Sequence, residues 1–207
     1  ANQSEQDIAA LIRRMPHGLR RHEIQFITDA KQRHIQDHIL QIIKQVQCNA
    51  SSRIDYRTMA IEDYDFPAEI FDIVISWLAF HYLESIDERC AKVNRCLKPG
   101  GTFVFSVEHP VFTAEGHEEW IRDEHGHTLH WPVDRYFAKG KRTATFLGEQ
   151  VVKFHKTLTT YINGLVRNGF EITGLTEPQP DPSMLGIPGM QDKLRRPMML
   201  ILSTIKK

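Results

Sequence analysis

Apolar positions along this 207-residue chain recur with two periods, and the switches between them mark its elements. Residues 5–15 carry Ile8, Leu11, Ile12 and Met15 at spacings of three and four, which predicts a short amphipathic helix. Glu23–Thr28 alternates, with Ile24, Phe26 and Thr28 on one face, as a strand does. Residues 33–47 return to the helical period through Ile35, His38, Ile39, Ile42, Ile43 and Val46. Residues 53–60 alternate again and end at Ile61-Glu62-Asp63. Phe71–Ser76 is a run rich in β-branched residues, the pattern of a buried strand. Over 87–97, Cys90, Val93 and Leu97 share a core-facing stripe, Asp87 suits the helix dipole in the first turn, and Pro99 and Gly100 end the helix. Thr102–Val107 is the next central strand.

The segment 108–148 breaks the rhythm. It is long and holds Trp120, His125, His127, His130, Trp131 and Tyr136, a composition and length that mark a lid or binding insertion. Residues 149–168 read as a further helix, with His155, Leu158, Ile162 and Leu165 on one stripe and Gly169 as its left-handed stop. Phe170–Leu175 and Met198–Ile205 close the chain as two strands without an intervening helix. Strands alternating with helices predict an α/β three-layer sandwich with a mostly parallel sheet.

Composition narrows the partners. Lys plus Arg and Asp plus Glu both number 26, so the net charge of zero leaves no electrostatic footprint for nucleic acid or an anionic membrane. Arg13-Arg14 and Arg195-Arg196 read as solvated basic pairs. No apolar run reaches the ~20 residues of a membrane span. The N-terminus lacks the basic and apolar parts of a signal peptide, and three cysteines without a CxxC read as reduced, packed thiols. The expectation is a single cytoplasmic domain over 1–207.

Two features carry a family resemblance. Phe71-Asp-Ile-Val-Ile-Ser76, a helix, the Lys98-Pro-Gly-Gly101 turn and Thr-Phe-Val-Phe-Ser106 form a parallel crossover unit, preceded by Ala60-Ile-Glu-Asp63. Glu108-His-Pro-Val-Phe-Thr-Ala114, His130-Trp-Pro-Val-Asp-Arg-Tyr136 and Arg195-Arg-Pro-Met-Met199 add a more specific signature. Together, over 53–207, they resemble a bacterial subgroup of class I S-adenosylmethionine-dependent methyltransferases of the type-11 kind. The resemblance implies a Rossmann-like methyltransferase fold with an antiparallel last strand, S-adenosylmethionine as cofactor, a small-molecule acceptor, and a substrate cap at 108–148. It places adenine beside Ile61 and Glu62, and the cofactor's methionine end against Ser76 and Leu78. His81, Glu108 and His109 become candidate catalytic residues near the transferred methyl. Tyr82, His130, Trp131 and Tyr136 become candidate acceptor contacts.

The residues also support plainer readings. A histidine near its working pKa can accept a proton from a hydroxyl or amine, but Glu108 and His109 equally suit a structural pair at a strand exit. His117, His125, His127 and His130 lack a complete metal-ligand spacing, so no metal is expected. No G-x-S-x-G elbow supports a serine hydrolase. The family's first strand carries D-x-G-x-G-x-G because close backbone approach to the cofactor excludes Cβ atoms. Here Gly18 is the only glycine before Gly100, so residues 1–52 are truncated or divergent. One alignment places Glu23–Thr28 on the family's second strand, making Asp29 the ribose ligand, though Asp29 also suits a turn or N-cap; the alternative places Glu23–Thr28 on the first strand itself, with no glycine loop behind it. Three functions stay open: a methyltransferase with a divergent cofactor site, a fold relative that binds without methylating, and a structural partner whose open sheet edge a second copy completes.

Overall fold

In the computed structural model, residues 24–29, 54–146 and 149–207 are described. The helices expected at 5–15 and 33–47 lie outside these residues. Two compact units are present, 10–66 and, in the main, 67–207. In the smaller, β1 (Ile24–Asp29) pairs in parallel with β2 (Ile54–Met59), in unbroken register from Ile24 opposite Ile54 to Asp29 opposite Met59. Both strands fall where the alternation predicts them, and a turn over Ile61–Asp63 follows β2.

The larger unit is built on a four-stranded sheet of order β3-β4-β10-β9. β3 (Phe71–Trp77) runs parallel to β4 (Leu97–Glu108), and β10 (Met199–Lys206) is antiparallel to both β4 and β9 (Phe170–Thr176). The antiparallel last strand is thus present. β4 is longer than the predicted Thr102–Val107, because Leu97 already pairs opposite Phe71. Between β3 and β4 runs α1 (Ile86–Cys96), with Ser85 Oγ accepting from the Glu88 N–H at 3.4 Å. Gly100, at φ +74°, takes the left-handed conformation that lets the turn return into the sheet.

Phe80, Phe103, Phe105, Tyr161 and Phe170 form one aromatic core with neighbouring centroids 5.0 to 6.2 Å apart. All five are at most 2% exposed, and each such ring contributes roughly 1.5–3 kcal/mol by burial. Cys90 and Cys96 are buried free thiols on α1, and burial pushes them up to about 12 and about 11. α1 packs on α3 (Leu158–Arg167), and Asp87 ties them by accepting from Arg167 at 3.0 Å. Gly164 permits this approach, since a Cβ there would stand 3.1 Å from Ile86 Cγ2.

One expectation is corrected. Residues 149–168 do not form a single helix: β8 (Glu149–His155) pairs antiparallel with β7 (Gly140–Phe146), and α3 begins only at Leu158. The reason is a period of two within the segment. Lys153 and His155 are buried and Val152 is exposed, while Arg142 and Ala144 face inward from β7. Thr157 then caps α3, its Oγ1 accepting from the Thr160 N–H at 3.2 Å. The segment that departs from the strand–helix rhythm therefore runs past residue 148.

Candidate functional site

The parallel strands β3 and β4 end side by side, with Trp77 opposite Ser106. Ligands in open α/β sheets bind beyond such carboxyl ends. At the end of β3, Ser76 Oγ is buried without a hydrogen-bond partner. Leu78 follows with φ +46°, a left-handed backbone costly for a branched residue. Ser106 compensates by accepting the Leu78 N–H through its carbonyl at 3.0 Å and its Oγ at 3.1 Å. A short 3₁₀ turn, Phe80–Tyr82, then carries His81 under the end of β4.

Glu108, the last residue of β4, lies at the centre of a buried charge cluster. Its Oε1 accepts from Lys153 Nζ at 2.6 Å, and Lys153 also donates to both oxygens of Glu118 at 2.7 and 2.9 Å. Lys153 is only 1% exposed, so one buried ammonium serves two carboxylates. Burial, joined by the neighbouring Glu118 charge, pushes the Glu108 carboxyl up to about 7 against the pull of Lys153. Lys153 is itself raised: burial opposes its charge, and the carboxylates of Glu108 and Glu118 outweigh burial. These directions agree if Lys153 keeps its proton and Glu108 takes up a second one first. Glu108 Oε2 has no hydrogen-bond partner.

His81 is 2% exposed and stacks against Tyr82 with centroids 4.2 Å apart. Its Nδ1 accepts the Glu108 N–H at 3.4 Å, which leaves the ring proton on Nε2, 3.8 Å from Glu108 Oε2. Burial first, then Lys153 and Lys156, hold it well below the usual histidine range. His81 is therefore a neutral donor aimed at Glu108. His109 points elsewhere, as consecutive strand-exit residues do. Its Nδ1 accepts the Val111 N–H at 3.0 Å and caps α2 (Pro110–Thr113), while Nε2 lies 2.7 Å from Glu177 Oε1 but poorly aligned with it. Nδ1 is thus taken up by the cap while Nε2 faces a carboxylate, and burial lowers its pKa against the pull of Glu177.

In the segment that follows β4, aromatic side chains gather. Phe112 and Trp131 stack at 5.0 Å, Trp120 meets Trp131 edge-on at 5.2 Å, and Trp131 Nε1 donates to the Val111 carbonyl at 3.2 Å. Tyr136 is a structural anchor: its hydroxyl accepts the Leu158 N–H at 3.2 Å and its carbonyl lies 2.8 Å from His155 Nε2. His130 is exposed on the hairpin of β5 (Ile121–Arg122) and β6 (Thr128–His130). His117, before that hairpin, and His125 and His127 within it each lie beside a local carboxylate, at 2.6, 3.5 and 2.9 Å. No group of three or more potential ligands converges among the described residues.

The structure thus brings together Glu108 and His81 with Tyr82, and gives Trp131, His109, Tyr136 and His130 other surroundings. Asp29, Ile61 and Glu62 lie in the smaller unit, Asp29 ending β1 and the other two in the turn after β2. Sequence reasoning missed Lys153 and Glu118. The signal for Lys153 was the alternation in 149–155; Glu118, at φ +60° in an irregular stretch, left none. It also misplaced Arg196, which is no solvated cation: its guanidinium carbon lies 3.9 Å from the Trp131 centroid. Arg195 beside it is pinned differently, donating to the Thr128 and Leu129 carbonyls and to Asp192.

A family profile described as a methyltransferase domain matches residues 27–105. An uncharacterised protein of Haemophilus influenzae is 31% identical over 116 residues, which make up 55% of this chain and 45% of that relative, so the match spans less than half of the relative's length. The crystal structure of an S-adenosylmethionine-dependent methyltransferase from Mesorhizobium loti matches with a TM-score of 0.69 and 35% identity, covering 76% of this chain and 72% of that one. A candidate S-adenosylmethionine-dependent methyltransferase from Listeria monocytogenes is 41% identical, with a TM-score of 0.81, over all of this chain and 86% of the other. No helix among the described residues is long and apolar enough to cross a membrane. Sheet topology, strand-end site and sequence identity agree: the chain belongs to the S-adenosylmethionine-dependent methyltransferases.

Proposed function

We propose that the chain transfers a methyl group from S-adenosylmethionine to a small-molecule acceptor, with Glu108 as proton acceptor. The observation that carries this reading is the free Oε2 of Glu108, buried at the carboxyl end of β4 on a group poised at about 7. The cofactor supplies an electrophilic methyl on a sulfonium, and transfer is a direct displacement. The family's cofactor fits the end of β3, where the buried, unpartnered Ser76 hydroxyl can bond its amino-acid end beside the Leu78 backbone. Ile61, Glu62 and Asp29 take the adenine and ribose roles that the family resemblance implies.

The remaining work falls to the chain's own side chains. The acceptor's hydroxyl or amine attacks the methyl carbon as the carbon–sulfur bond breaks, and its proton passes to Glu108 Oε2. Lys153 keeps Glu108 partly ionised near neutrality, and His81 Nε2–H faces the same carboxylate. His109 acts as a positioning residue through α2. Trp131 and Tyr82 bound the acceptor and exclude water, which sharpens alignment, the main catalytic contribution in such a displacement. Tyr136 and His130 hold the cap that carries Trp131.

The test is release of S-adenosylhomocysteine from candidate acceptors. A general base contributes about 10²–10⁴-fold, so Glu108→Gln should lower kcat by at least that lower bound and leave cofactor affinity unchanged. Wild-type kcat should rise with pH through about 7 and lose that limb in the variant. Equal rates in both proteins would remove Glu108 from the reaction. Glu62→Ala should weaken the cofactor.

One observation favours a second reading, a fold relative that does not methylate: Gly18 is the only glycine before Gly100, so no glycine-rich loop cradles the cofactor. Losing two charge-assisted backbone hydrogen bonds, at ~1.5–3 kcal/mol each, would move a micromolar site toward roughly millimolar. Calorimetric titration with S-adenosylhomocysteine separates the readings: saturation in the micromolar range favours turnover. Sedimentation with and without the cofactor tests whether a second copy completes the site.

A further inference from the structure

Arg196 is held by rings and by nothing polar. Its guanidinium carbon lies 3.9, 4.6 and 5.2 Å from the centroids of Trp131, Phe112 and Trp120. Its Nε and Nη1 are buried without a hydrogen-bond partner, and among the described residues none accepts from the group. Burial pulls its pKa down to about 10, with Glu118 and Asp192 opposing at a distance. Stacking satisfies the faces of a guanidinium, not its in-plane N–H donors, and a buried donor left unbonded is costly. Such donors call for a planar anion.

The position of Arg196 says where that anion belongs. Phe112 has Arg196 at 4.6 Å and Lys153 Nζ at 6.0 Å from its centroid, and Lys153 holds Glu108 at 2.6 Å. The unused donors and the ammonium that holds the proposed base therefore lie near one ring. Hydrogen bonding agrees: Lys153 spends its donors on Glu108 and Glu118, whereas Arg196, which brings the four charges to balance, bonds neither carboxylate.

We infer that the acceptor is a small organic acid whose carboxylate is bound by the guanidinium of Arg196 while its nucleophile faces Glu108. This rests on the reading of the Glu108 pocket as the acceptor site. It adds a substrate class, and it makes Arg196 a specificity-determining residue.

The experiment uses the full chain in a Trp77→Phe background, so that fluorescence reports Trp120 and Trp131 in the cap. Acetate and benzoate are titrated, each against its amide, with inorganic phosphate as a further arm. The expected result is saturable quenching by the carboxylates, at least ten-fold tighter than by the amides. Arg196→Gln should abolish that preference, Arg196→Lys should restore part of it, and Arg195→Gln should leave it intact. Circular dichroism establishes that each variant is folded, and the Lys variant preserves the test if Gln does not fold. Equal binding of carboxylates and amides, or a preference that survives Arg196→Gln, overturns the inference; phosphate binding as tight as benzoate overturns its restriction to carboxylates. The two readings fail separately. Carboxylate binding lost on Arg196→Gln in a chain that releases no S-adenosylhomocysteine sinks the methyl transfer alone. Turnover of an uncharged acceptor with KM unaffected by Arg196→Gln sinks the organic-acid acceptor alone.

Discussion

Lys153 and Arg196 are two cations on the same aromatic ring, and the protein treats them in opposite ways. Lys153 has two carboxylates within 2.9 Å and almost no exposed surface; Arg196 has three aromatic rings and unused N–H donors. A charge already matched in the fold is a structural element whose loss strands its partners. A cation whose N–H donors are left unused is an offer to a ligand. The difference can be measured, because stability should follow Lys153 and ligand preference should follow Arg196.

The largest effect is expected from Lys153→Met, which leaves Glu108 and Glu118 buried without their cation. Breaking a buried pair from one side costs ~3–5 kcal/mol, and urea unfolding should show a loss in that range. Arg196→Met loses stacking but also removes unsatisfied buried donors, so its stability should stay within about 1 kcal/mol of wild type. Comparable losses in the two variants would erase the contrast.

A smaller effect concerns pH. The folded pKa of Glu108, about 7, lies above the unfolded carboxyl value of about 4.3, so the native state binds the proton more tightly. The stability this group contributes is fully present below pH 4.3 and is lost as pH rises through about 7. His81, depressed by burial, works in the opposite sense, so the quantity to follow is the difference between wild type and Glu108→Gln. That difference should change steadily between pH 5 and 8; a flat difference would mean that Glu108 is an ordinary carboxyl.

The smallest effects lie away from the cluster. Thr157→Ala removes the N-cap of α3 and should cost about 1 kcal/mol by chemical denaturation. His127→Ala, at an exposed pair with Asp123, should leave the thermal midpoint unchanged.

Much of the fold was legible because strand and helix periods are clean where one face is buried. β3, α1 and β10 fall within a residue or two of their apolar runs, and the antiparallel last strand followed from two closing strands with no helix between. The misreading at 149–155 came from His155, which sits three residues before Leu158 and mimics a helical stripe; the competing alternation at Lys153 and His155 belonged to a strand with polar residues facing inward. The site was legible only in part. Glu108 and His81 could be found from strand ends. Glu118 and Arg196 could not, since their importance comes from spatial neighbours 35 or more residues distant in the chain, Lys153 for one and Phe112, Trp120 and Trp131 for the other.

The buried thiols of α1 have a practical consequence. At pH 8 a thiol at about 12 is ionised in only about one molecule in ten thousand, against roughly a quarter for a free cysteine, and the thiolate is the reactive form. Cys90 can thus be alkylated at an appreciable rate only when α1 separates from the sheet. In a chain with Cys48→Ser and Cys96→Ser, the slow labelling of Cys90 becomes a clock for that opening, built into the helix that connects β3 to β4. Its rate with and without acetate would register ligand binding at the far end of β4 as a change in how often the crossover unit breathes.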